Sequence, residues 1–279
     1  GEPLAGVPTL ERDIRDLRAE DLRGYSAVLH LAGLSNDPLG DLDPQLTYEI
    51  NYRASLRLAR LAKRAGVSRF VFSSSCSNYG ASQRPGELLR EEDELNPLTP
   101  YAVSKVLVER ALHELADATF SPTYLRNATA YGMSPRIRFD LVVNNLVAWG
   151  FTTGQVRLKS TGGSWRPLVH VEDIAHTFRC VLEAPRSEVH DQAFNVGDSE
   201  ENYTVRQVAE LTLEVLPEAE LTFAEGATAD ARNYAVDCSK LQRSLGYETR
   251  WTVRAGAEDL AQHFSRLGLC ASVFEGPRY

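Results

Sequence analysis

The run Thr99-Pro100-Tyr101-Ala102-Val103-Ser104-Lys105 constrains this chain more than any other stretch. Thr99 is a helix cap, and Pro100 suits the first helical position because its missing N–H has no partner to lose there. Tyr101 and Lys105 are four apart and so share one helical face. An ammonium beside a phenol favours phenolate and lowers the tyrosine pKa toward working pH. Such a tyrosine can exchange a proton with a substrate hydroxyl. By itself the spacing equally describes a half-buried tyrosine beside a solvated lysine. Upstream, the apolar strand Arg69-Phe70-Val71-Phe72 runs into Ser73-Ser74-Ser75-Cys76-Ser77. Chemistry in an open α/β sheet gathers at the carboxyl ends of strands. A hydroxyl there and a Tyr/Lys pair on the following helix make a three-residue site.

Strand and helix patterns alternate along the rest of the chain. Residues 16–22 read as a short helix with an acidic face, and Tyr25 to Ala32 as an apolar strand whose His30 is a core histidine. Residues 34–44 have loop composition. Thr47 to Ala65 reads as one long amphipathic helix closed by Gly66. Phe120 to Arg126 is a strand that 127–132 continues, and 139–151 is a helix. Gln155 to Lys159 alternates as a strand does. Thr204 caps a helix to about Leu216, and 252–267 is a last amphipathic helix.

These motifs together resemble the extended short-chain dehydrogenase/reductases, and within them the NAD-dependent nucleotide-sugar epimerase/dehydratase group. The resemblance implies an α/β fold: a Rossmann-like doubly wound parallel sheet with a smaller C-terminal substrate-binding lobe. Residues 1–165 would form the dinucleotide-binding lobe, with 166–198 partly returning to it. Residues 133–165 and 199–279 would form the substrate lobe. Family members open with a glycine-rich strand–loop–helix whose amides hold the cofactor pyrophosphate. Residues 1–23 contain no such loop, so the first βαβ part is expected to be missing from this sequence, which begins with Gly1 and has Met133 as its one methionine.

The resemblance implies Ser75, Tyr101 and Lys105 as catalytic residues. It implies cofactor contacts from Asp13 and Ile14, from the strand end Leu31, Ala32 and Gly33, and from Asn51, Tyr101, Lys105 and Asn127. For the substrate it implies Ser75, Cys76, Ser77, Thr129, Asn145, Arg166 and Arg232. Arg166 would grip a diphosphate, for which a guanidinium offers two parallel donors. His170 and Asp173 would be structural. Cys76 and Ser77 stand where the family's 4,6-dehydratases carry an Asp-Glu pair, which disfavours dehydration by that route.

The expected function is a nucleotide-sugar 4-epimerase working through a 4-keto sugar. The alternatives are a 4-keto-sugar reductase and a non-catalytic binding protein on the same fold. The expected cofactor is NAD or NADP, and the expected partners are a nucleotide-diphosphate sugar and a second copy of the chain, paired through the helices of 47–65 and 101–117. A net charge of −8 argues against a nucleic-acid surface. The four cysteines lack zinc or redox spacing, which suits a reducing cytoplasm and no metal. No apolar run reaches the roughly 18 residues of a membrane span.

Overall fold

The computed structural model describes residues 6–35, 37–82, 86–228 and 232–273. Asp230, Ala231 and residues 274–279, which fall in the expected substrate lobe, lie outside the described residues. The strands, in chain order, are β1 (Ala27–His30), β2 (Arg69–Ser75), β3 (Leu88–Leu89), β4 (Ser121–Asn127), β5 (Thr129–Tyr131), β6 (Gln155–Ser160), β7 (Trp165–His170), β8 (Gln192–Val196), β9 (Asn202–Thr204), β10 (Glu220–Thr228) and β11 (Ala235–Val236). The helices are α1 (Asp37–Leu42), α2 (Pro44–Thr47), α3 (Ser55–Ala65), α4 (Pro100–Leu115), α5 (Val142–Thr153), α6 (Val171–Glu183), α7 (Arg186–Val189), α8 (Val205–Val215), α9 (Ser239–Leu245) and α10 (Val253–Leu267).

The chain divides into two compact units. The first holds residues 1–80, 94–126 and 178–194, the second 81–93, 127–177 and 195–279. These bounds differ from the division at 133, 166 and 198 read from the sequence.

The first unit is built on a four-stranded sheet in the order β1-β2-β4-β8. β1 and β2 run parallel, with Ala27 opposite Arg69 and His30 opposite Phe72. Such a pair needs a crossover, and α3 supplies it. Leu58, Ala59 and Ala62 of α3 pack with Val108 and Leu112 of α4 onto Phe70, Phe72, Phe120 and Tyr124. Each large apolar side chain buried here contributes about 1.5–3 kcal/mol. Arg69 is tied to the end of α6 through three carbonyls, those of Val181, Leu182 and Ala184.

Two stretches of this unit differ from the sequence reading. The segment expected to be a polar loop contains α1 and the start of α2, where the Asp43 side chain accepts from the Leu46 N–H and Pro44 opens the helix. The helix expected to run unbroken from Thr47 to Ala65 instead widens into π-type turns over Tyr48–Ala54 before α3 begins. The widened turns carry Asn51, and such insertions gather at functional sites. Gly66 ends α3 in the left-handed conformation, as its sequence position implied.

The second unit packs α5, α8 and α10 around Val147, Ala148, Leu168, Val208, Ala257 and Leu260. β6 and β10 pair in parallel, β5 pairs in parallel with β7, and β7 pairs antiparallel with β9. Thr129–Tyr131 therefore does not prolong β4. Ala128 breaks the run by donating its N–H to Val196, and β5 begins anew against β7. Asp173 is buried and accepts N–H bonds from Arg250 and Trp251. His170 is stacked on Trp251 at 4.1 Å between ring centres. No helix among the described residues is long and apolar enough to cross a membrane.

Candidate active site

β2 ends in Ser75, and a tight turn over Cys76–Tyr79 begins there. The Ser75 Oγ accepts from the Ser77 N–H at 3.1 Å and from the Ser77 hydroxyl at 2.9 Å. With two bonds accepted, its own proton is left to donate. Gly80 closes the turn at φ +63°, and a Cβ there would meet the Asn96 carbonyl oxygen at 1.8 Å. Only glycine fits that position.

α4 starts as its sequence dictates: the Thr99 hydroxyl accepts from the Ala102 N–H, with Pro100 in the first turn. Lys105 then lies over the Tyr101 ring at 5.5 Å and the Phe72 ring at 4.8 Å. Its Nζ donates to the Ser73 carbonyl at 2.7 Å. The ammonium is thus held two residues from Ser75 and one helical turn from Tyr101. Lys105 is only 8% exposed. Burial pushes its pKa down from 10.5 to about 8, with the Glu109 carboxylate opposing the fall. At neutral pH the group remains an ammonium.

The end of β1 lies in the same unit. His30 is buried, its Nε2 is 2.7 Å from the Ser55 hydroxyl, and burial followed by the Lys105 charge pushes its pKa down to about 3. It is a neutral core histidine, as the sequence reading held. Beyond it Leu31, Ala32 and Gly33 are exposed. Asn51 clasps this end through Leu34, accepting from its N–H at 2.7 Å and donating to its carbonyl at 3.0 Å. A Cβ on Gly33 would come within 2.9 Å of the Asn51 Oδ1. The Asp13 carboxylate is engaged by Arg15, whose guanidinium also reaches Glu49. Those bonds to Arg15 hold the Asp13 pKa down at about 2. Ile14 is half-buried beside it.

Cys76 is buried, and its thiol donates to the Arg126 carbonyl at 3.0 Å. Its thiol is thereby turned to the backbone of β4. Neither position 76 nor position 77 presents a carboxylic acid.

The remaining expected contacts belong to the second unit. Arg166 is nearly buried on β7 and donates to the carbonyls of Trp165 at 2.7 Å and Arg232 at 2.5 Å. The two arginines named from the sequence are therefore joined through the Arg232 backbone. Asn145 donates to the Phe139 carbonyl at 2.7 Å, while Asn144 accepts from the Gly132 N–H and donates to the Arg138 carbonyl. Both asparagines brace backbone at the head of α5. Asn127 and Thr129 sit half-buried at the end of β4 and the start of β5.

Sequence reading passed over a buried polar centre in the first unit. Glu109 accepts from Ser74 at 2.5 Å, from Asn78 at 3.0 Å and from Arg126 at 2.8 Å. Arg126 also donates to the Tyr79 hydroxyl at 3.1 Å. The available signals were the four-residue step from Lys105 to Glu109 and Arg126 as the one charge in the strand Ser121–Asn127.

The family model for NAD-dependent epimerases and dehydratases matches residues 7–197. The chain belongs to that family. A UDP-glucose 4-epimerase of Bacillus subtilis (strain 168) is 26% identical over 272 residues, covering 90% of this chain and 78% of that protein. The structure of MoeE5 in complex with UDP-glucuronic acid and NAD superposes with a TM-score of 0.81 at 27% identity, over 93% of this chain and 86% of that one. A dTDP-glucose 4,6-dehydratase from Streptomyces venezuelae has the same fold, with a TM-score of 0.80 at 23% identity over 92% of this chain and 79% of its own. The fold is thus the Rossmann-like α/β architecture of the extended short-chain dehydrogenase/reductases, and the chain is a member of this nucleotide-sugar enzyme family.

Proposed function

We propose that this protein is an NAD-dependent 4-epimerase of UDP-sugars, with Tyr101, Lys105 and Ser75 as its catalytic residues. The observation that carries the reading is the buried Lys105 ammonium held over Tyr101 by the Ser73 carbonyl, beside a serine whose oxygen already accepts two bonds. Tyr101 takes the proton of the sugar 4-hydroxyl and later returns it. The Lys105 charge lowers the cost of the phenolate form. Ser75 donates to the same sugar oxygen and orients it.

The residues at the end of β1 suit a dinucleotide. Leu31 is 58% exposed, an apolar surface at a strand's carboxyl end, and Ala32 and Gly33 admit close approach. NAD, when bound, supplies a hydride acceptor and donor. Leu31 to Gly33, Asn51, Asp13, Ile14, Asn127 and the Tyr101/Lys105 pair would hold it. On this reading the first unit takes the dinucleotide, and Arg166, Arg232, Asn145 and Thr129 of the second are the candidate contacts for the nucleotide-sugar. The absence of a carboxylate at Cys76 and Ser77 favours epimerisation over dehydration. The relatives that act on or bind UDP-sugars support the choice of nucleotide.

The protein is to be incubated with a panel of UDP-, TDP-, CDP- and GDP-sugars, with products read by NMR and reduced nicotinamide by absorbance. A C4-inverted UDP-sugar without net cofactor change is the expected result, and Tyr101→Phe should abolish it. Stoichiometric consumption of reduced cofactor on a 4-keto sugar would replace the proposal with a reductase. Normal turnover by Tyr101→Phe would remove Tyr101 from the mechanism.

A further inference from the structure

The Glu109 centre is not used by the mechanism above, yet it joins every element that carries the catalytic residues of the first unit. Its carboxylate takes the Ser74 hydroxyl from the last turn of β2, one residue before Ser75. It takes the Asn78 amide from the turn that contains Ser77. It takes Nε and Nη2 of Arg126 from β4. The carboxylate itself stands on α4, one turn beyond Lys105 and two beyond Tyr101. All four side chains are buried: Ser74, Asn78, Glu109 and Arg126 are each no more than 6% exposed.

We propose that Glu109 is a positioning residue for this active site: it fixes the serine turn against the helix that bears Tyr101 and Lys105 and sets a negative charge facing the Lys105 ammonium. The inference rests on the epimerase reading. Its physical basis is a fully occupied buried carboxylate. Displacing that carboxylate would leave the buried Ser74 hydroxyl, Asn78 amide and Arg126 guanidinium without the acceptor they share, so it holds one geometry. The groups facing Lys105 are His30 on β1 and Tyr101 and Glu109 on α4, with Arg126 and Tyr79 behind Glu109. His30 is neutral, so Glu109 is the anion among them. Its attraction opposes the burial that would otherwise discharge the lysine.

Removing Glu109 alone would leave the Arg126 guanidinium buried without it, and the chain could then fail to fold. The test therefore uses Glu109→Gln combined with Arg126→Met, which removes both charges and keeps an amide oxygen for Ser74 and Asn78. Ser74→Ala serves as a second variant, which unhooks β2 and leaves the ion pair in place. Wild-type turnover is measured in parallel on UDP-sugars, and the Lys105 ammonium is followed by NMR titration of carbon-13-labelled lysine. The expected result for the double variant is a kcat at least ~10-fold lower with KM within ~2-fold, and a Lys105 midpoint moved to lower pH. Ser74→Ala should lower kcat by ~3-fold or more at unchanged KM. If wild type turns over normally and a folded double variant keeps its kcat and its Lys105 midpoint, the positioning role is overturned. Should the double variant not fold, full kcat in Ser74→Ala overturns it equally. A wild type silent on every sugar refutes the epimerase reading instead, and the lysine titration still decides whether Glu109 governs Lys105.

Discussion

Replacing Lys105 by methionine should make this protein more stable and less active at once. The magnitude follows from burial. An ammonium whose pKa falls from 10.5 to about 8 is disfavoured in the folded state, by about 3 kcal/mol at pH 7 at roughly 1.4 kcal/mol per pH unit. Methionine fills a similar volume without that penalty. It forgoes the bond to the Ser73 carbonyl, worth about 1 kcal/mol. The net expectation is a variant about 2 kcal/mol more stable at pH 7. The pH dependence distinguishes this cause from ordinary repacking. Between about pH 8 and 10.5 the unfolded chain still holds the lysine proton while the folded chain has released it. Stability of the wild type therefore rises with pH across that window, and the penalty is fully present below it. The variant lacks this gain, so its advantage should shrink from pH 7 to 10.5 and end near or below zero. Urea unfolding at both pH values measures the difference, and other alkaline titrations common to the two proteins cancel. A variant less stable than wild type at pH 7, by an amount that does not change toward pH 10.5, would refute the reasoning.

Three further outcomes are expected. His30 titrates near 3 when folded against 6.5 when free, so the unfolded chain binds the extra proton between those values and stability should fall as pH drops from 6.5 toward 3, by about 4–5 kcal/mol in all; His30→Phe should flatten that limb in acid unfolding followed by circular dichroism. Gly132→Ala would set a Cβ 2.1 Å from the His170 Nε2 at φ +106°, and thermal melting should show a loss of about 3 kcal/mol or more. The segment 47–65, through which the resemblance implies pairing, exposes Arg53 of the π-type turns and Arg57, Arg60 and Arg64 of α3 on one face; sedimentation should show self-association through that face strengthening between ~20 and ~500 mM salt as the like charges are screened.

The parts of this molecule legible in the sequence are those governed by local rules. Thr99 and Pro100 fix the start of α4 because a cap and a ring act on their own neighbours, so the Tyr101/Lys105 face followed directly. Gly66, Thr204 and Thr252 ended or opened their helices for the same reason. The π-type turns over Tyr48–Ala54 were hidden because their cause is not local: Asn51 is engaged by the Leu34 backbone, seventeen residues away. The break between β4 and β5 was hidden likewise, since the Ala128 amide is claimed by Val196.

Glu109 illustrates the harder case. Its place on the Tyr101/Lys105 face can be counted off the helix, but a glutamate at that spacing is ordinarily a solvated partner of a nearby lysine. What changes its meaning is Arg126, which a strand brings beneath α4 from seventeen residues on, and the Ser74 and Asn78 groups that arrive from thirty-five and thirty-one residues before it. Each donor alone would read as a polar residue at a strand end or in a turn. Together they convert an exposed-looking carboxylate into a buried one with its bonds filled. A helical spacing can therefore nominate the acid, base and cation of such a site, while the group that holds them in register becomes visible only when the sheet has been assembled.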